Sequence, residues 1–76
     1  MLTSYPNESP ANIRKGDLVV LADGREFQAT ATPELVLGDY HVNGYTPDNH
    51  LKSFTMEPDS PVTISYEEDD TEDYGY

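Results

Sequence analysis

Proline and glycine punctuate this chain so densely that they interrupt nearly every window of helical length. Pro6, Pro10, Gly16, Gly24, Pro33, Gly38, Gly44, Pro47, Pro58 and Pro61 follow one another at short intervals. The stretches between them are rich in β-branched and aromatic residues, which suit a pleated, half-buried surface. Short strands joined by tight turns fit that pattern. Five or six of them in 76 residues predict an all-β fold, a small barrel or sandwich, SH3-like in scale.

The strands can be placed. Leu18 to Ala22 is an apolar run followed by Asp23-Gly24. That dipeptide suits a two-residue type I′ turn, because both central positions need positive φ. Arg25 to Ala31 alternates and puts Phe27, Ala29 and Ala31 on one face. Leu35-Val36-Leu37 is a third apolar run, closed by Gly38-Asp39. Tyr40-His41-Val42 meets Tyr45-Thr46 across Asn43-Gly44, a second hairpin signal. Thr46-Pro47-Asp48-Asn49 reads as a turn. Leu51 to Met56 alternates, with Phe54 and Met56 on one side, and Glu57 to Pro61 is a two-proline loop. Val62, Ile64 and Tyr66 mark the last strand. One helical turn is predicted over Thr32 to Leu37, with Thr32 as N-cap and Pro33 in the first position. No internal repeat recurs at a fixed period.

Three parts are expected. Residues 1–15, with Pro6, Pro10 and many small polar residues, form an extended arm. Residues 16–66 form the β body, and residues 67–76 an acidic tail. A body of this size is marginal without disulfides or metal, and the chain has no cysteine. The fold is therefore expected to lean on a partner or on copies of itself.

The net charge is −11. The end of the chain concentrates it: Tyr66, Glu67, Glu68, Asp69, Asp70, Glu72, Asp73, Tyr74 and Tyr76 combine six carboxylates with three aromatic rings and no base. Such a segment repels itself and suits a basic surface, with carboxylates giving steering and tyrosines giving anchors. Direct binding to nucleic acid or to an anionic membrane is disfavoured, since both need clustered Lys and Arg. Contiguous acids without a glycine-turned loop predict diffuse counterion binding and no specific calcium site. The N-terminal residues lack the basic and apolar regions of a signal peptide, and no apolar run is long enough to span a bilayer. A virion or cytoplasmic location is expected.

Catalytic signatures are missing. The sequence has no G-x-S-x-G, S-x-x-K, P-loop or G-x-G-x-x-G pattern. Asp39 and His41 share strand parity and form the one candidate acid–base or metal pair, for which a polar outer face is the simpler account. His50 reads as a turn residue. The expectation is a non-enzymatic protein without cofactor or bound metal. It binds a protein partner with a basic or apolar surface, copies of itself included. Phe27, Leu35, Val36, Leu37, Phe54 and Met56 supply apolar contact, with the arm and tail as clamps. A virion accessory subunit, of the capsid decoration or cement kind, is the most concrete form of this reading. The alternative is an acidic mimic of nucleic acid that fills the basic groove of a host DNA- or RNA-processing enzyme.

Overall fold

A computed structural model describes residues 2–67. Within them the chain forms seven strands: β1 (Leu2–Glu8), β2 (Leu18–Val20), β3 (Glu26–Ala29), β4 (Glu34–Val36), β5 (Asp39–Tyr45), β6 (Leu51–Met56) and β7 (Val62–Glu67). They make one antiparallel sheet in the order β1-β7-β2-β3-β5-β4, with β6 on the other side of β5. Among the described residues the sheet does not close into a barrel, because β1 and β6 each pair on one side only.

Four of the predicted strands lie close to where an apolar run, at Leu18, or alternation, at the other three, put them. The fold departs from expectation at its ends and turns. Residues 2–8, expected to be part of an extended arm, form β1 and pair with β7 from Leu2↔Glu67 to Glu8↔Val62. Polar, proline-containing residues make this strand because β7 offers a ladder, not because of their own propensity. Pro6 is accommodated at an irregularity: the register shifts between Tyr5 and Glu8, with Asn7 at φ 60. The helical turn predicted at Thr32–Leu37 is absent, and β4 occupies that stretch. A single 3-10 turn forms instead at Pro10–Asn12, capped by Ser9, whose hydroxyl accepts from the Ala11 N–H at 3.2 Å.

The turns follow a different chemistry from the dipeptides. At Asp23-Gly24 only Gly24 has positive φ, 93°. Gly24 N donates to Leu21 O and Leu21 N to Arg25 O, so the connection is a type I turn closed by a glycine bulge. The type I′ geometry appears one hairpin later. Leu37 (φ 51) and Gly38 (φ 86) link Val36 to its partner Asp39. Asn43-Gly44 is no turn at all and lies inside β5.

Packing explains Gly44. A Cβ there would lie 2.3 Å from Cδ2 of Phe27 and 2.8 Å from the Gln28 carbonyl oxygen. The missing side chain lets the Phe27 ring lie against β5 and stack on Phe54 of β6, with centroids 4.0 Å apart and planes 10° from parallel. This pair sits in one cluster with Ile13, Val19, Leu21, Ala29, Val42, Met56, Val62 and Ile64. Asp17 is buried too, and accepts from the Arg14 backbone N–H at 2.9 Å. Gly16 N and Asp17 O bond Ala29, tying the loop before β2 to the end of β3.

Candidate functional site

The residues expected to present apolar surface divide into two groups. Phe27, Phe54 and Met56 are 1%, 5% and 5% exposed and belong to the chain's own core. They are removed from the candidate contact surface, because a side chain packed among core neighbours has no area left for a partner. Sequence alternation places them on one face but does not say which body covers that face. Leu35, Val36 and Leu37 lie at the other extreme, at 61%, 41% and 100% exposed.

The fold positions them on a hairpin that runs past the core. β4 pairs only with the first half of β5, through Glu34↔His41, Leu35↔Tyr40 and Val36↔Asp39. Tyr40 also stands opposite Met56 of β6. The row Met56, Tyr40, Leu35 therefore runs from buried through half-buried to open. The sheet face that carries the core continues onto an apolar ledge with nothing above it among the described residues. At the tip, Leu37 occupies the first central position of the type I′ turn. Positive φ costs a γ-branched residue roughly 1–2 kcal/mol, and Asn, Asp or Gly would sit there more easily.

Two of the tail residues can be placed. Tyr66, 37% exposed, stacks on Tyr5 of β1 with centroids 5.4 Å apart, so part of its ring is engaged within the chain. Glu67 ends β7 opposite Leu2. Glu68, Asp69, Asp70, Glu72, Asp73, Tyr74 and Tyr76 lie outside the described residues. An open groove of about 850 Å³ is lined by both stacked tyrosines together with Ile13, Ile64, Arg14 and Lys15.

The histidines sit on separate elements. His41 faces Thr55 across the β5–β6 ladder, with Nδ1 3.4 Å from Oγ1. Its partner is thus a neighbouring hydroxyl on the outer face. His50 lies in the turn before β6, its Nδ1 3.0 Å from Oδ2 of Asp48. Asp48 also accepts from the Thr46 hydroxyl. These two bonds, with Thr46 the larger influence, hold the Asp48 carboxyl down at about 2. Asn49 completes the turn at φ 69, and Asn49 N and His50 O bond back to Thr46. The set is a turn lock. Among the described residues, no group of three or more His, Asp or Glu is placed to hold a metal ion.

Sequence reasoning singled out the Leu35–Leu37 run but not its strained tip. The signal that could have found it is Leu37-Gly38 between Val36 and Asp39, a two-residue spacing with a glycine in second place. No protein-family model, curated protein or solved structure matches the chain.

Proposed function

We propose that the chain is a non-catalytic interaction and assembly protein whose β4–β5 hairpin docks into an apolar cleft on a partner protein. One observation carries this reading: Leu37 is fully exposed and held at positive φ. In the isolated chain that residue is unfavourable twice over, in hydration and in backbone strain. A partner that buries it offsets both. Leu35 and Val36 extend the contact along the hairpin, and the surrounding carboxylates steer the encounter with a basic rim. The most specific form of the proposal is an accessory subunit of a virion shell, seated on neighbouring subunits by this hairpin.

The test is co-purification from the native source at graded salt, comparing the natural chain with Leu37→Asn. The natural chain should retain a stoichiometric protein partner at about 1 M salt, where the screening length falls to roughly 3 Å. Leu37→Asn should lose that partner while being as stable as the natural chain, or more stable by up to about 1 kcal/mol. Full retention by the variant would remove the hairpin from the interface. Recovery of a nucleic-acid enzyme that leaves at moderate salt would put the mimic reading in its place.

A further inference from the structure

Among the described residues, β1, β4 and β6 each pair with a strand on one side. Two of them carry features that discourage an added strand. β1 has Pro6, the register shift and Asn7 at positive φ. β4 is three residues long and includes Glu34. β6 carries one such feature, the charge of Lys52. All six of its residues pair in unbroken register with β5, from Leu51↔Tyr45 to Met56↔Tyr40, and it contains no proline and no acid.

The ladder shows which backbone groups face outward. Thr46 N donates to His50 O at 2.9 Å, which makes that pair the first hydrogen-bonded rung of the hairpin. Rungs alternate in an antiparallel pair. Lys52, Phe54 and Met56 therefore bond to β5, and the N–H and C=O groups of Leu51, Ser53 and Thr55 point to the open side. They are spaced as another strand would require.

Charge decides what could pair there. Exposed carboxylates bracket β6 in sequence: Asp48 before it, Glu57 and Asp59 after it. A second copy of the chain, pairing antiparallel, would bring Asp48 of one copy beside Glu57 and Asp59 of the other. Repulsion there adds to that between two chains of charge −11. An extended peptide with basic residues at its ends meets opposite charge at both.

We propose that the open edge of β6 is a β-augmentation site for an extended partner segment with a short β-branched centre and Lys or Arg at both ends. The proposal rests on the reading of the chain as an interaction protein and names the chemistry of its partner. Main-chain bonds to Leu51, Ser53 and Thr55 supply alignment, and the bracketing carboxylates select the basic flanks.

The experiment titrates the full ¹⁵N-labelled chain with the synthetic peptide Arg-Lys-Val-Thr-Val-Thr-Lys-Arg and with a counterpart whose four basic residues are Glu. The basic peptide should bind saturably and slow amide exchange at Leu51, Ser53 and Thr55. The acidic one should bind at least about tenfold more weakly. Ser53→Pro deletes an outward N–H, leaves the backbone ladder to β5 in place and removes the Ser53 hydroxyl's bond to the Asn43 side chain, so it should abolish binding with a dispersed spectrum retained. If that variant fails to fold, the triple variant Asp48→Asn, Glu57→Gln, Asp59→Asn carries the test, with about a tenfold loss expected. Equal binding of both peptides, no binding of either, changes confined to other strands, or dimerisation through β6 would overturn the proposal. Native partner retained at full affinity by Ser53→Pro but lost by Leu37→Asn would leave the hairpin reading standing and remove the edge site.

Discussion

At Gly44 the backbone itself makes room for an aromatic ring. Adding one methyl there puts carbon 2.3 Å from the Phe27 ring and 2.8 Å from a backbone oxygen, and only the ring can move. Gly44→Ala should destabilise the chain by about 1–3 kcal/mol in urea unfolding, by breaking the Phe27–Phe54 stack. Combining it with Phe27→Leu should recover part of that loss, and strict additivity of the two would show that the clash is not the cause. Asp48 gives a second test at this scale. Its carboxyl is depressed from 3.8 to about 2 by Thr46 and His50, so its contribution is complete above pH 4. That contribution fades as the pH falls through about 2. Asp48→Asn should therefore narrow the stability difference between pH 4 and pH 2, and a variant whose acid limb matches the natural chain would rule the lock out. Alternation made Phe27, Ala29, Phe54, Met56, Val62 and Ile64 legible as facing one way. It could not tell a core from a contact surface, because that depends on what lies opposite.

Elements were legible where the signal was local. The strands around Phe27, Phe54 and Ile64 announce themselves by period-two hydrophobicity, the strand at Leu18 by a short apolar run, and the Thr46–Asn49 turn by its side-chain chemistry. Two elements were hidden because their cause is tertiary. β1 has weak strand propensity and exists through its pairing with β7, and Asn43-Gly44 is drawn into β5 by the needs of Phe27. The turn type at Asp23-Gly24 was missed because one positive-φ glycine serves a bulge as well as a type I′ turn. The status of β1 is testable. Deleting residues 2–8 exposes the β7 edge, separates Tyr66 from Tyr5 and removes the Ser4–Ser65 hydroxyl contact of 2.7 Å. The truncated chain should lose cooperative thermal unfolding or melt at least about 10 °C lower. A melting curve left unchanged would mean that the segment is an accessory arm after all. It follows that loss of partner binding on such a truncation says nothing by itself about contact with a partner.

Over the whole molecule, an open sheet and a charge of −11 coexist. Unpaired edges invite chains to join, and like charge keeps them apart until a partner of opposite sign arrives. The same charge loads the folded state. Raising the salt from about 0.01 M to about 0.15 M shortens the screening length from roughly 30 Å to 8 Å, and should raise the melting temperature by a few degrees. A flat or falling trend would show that the carboxylates are already compensated. The pairing of the first strand with the last has a further consequence, for synthesis. Among the described residues, β1 is the first of the seven strands to be made, and β7, the strand it pairs with, is the seventh. At about 5–20 residues per second, β1 waits several seconds with its ladder unfilled. Every nascent copy passes through that interval with the β1 and β2 edges that β7 will cover both open, and on a crowded polysome this is when one copy could take up the first strand of another.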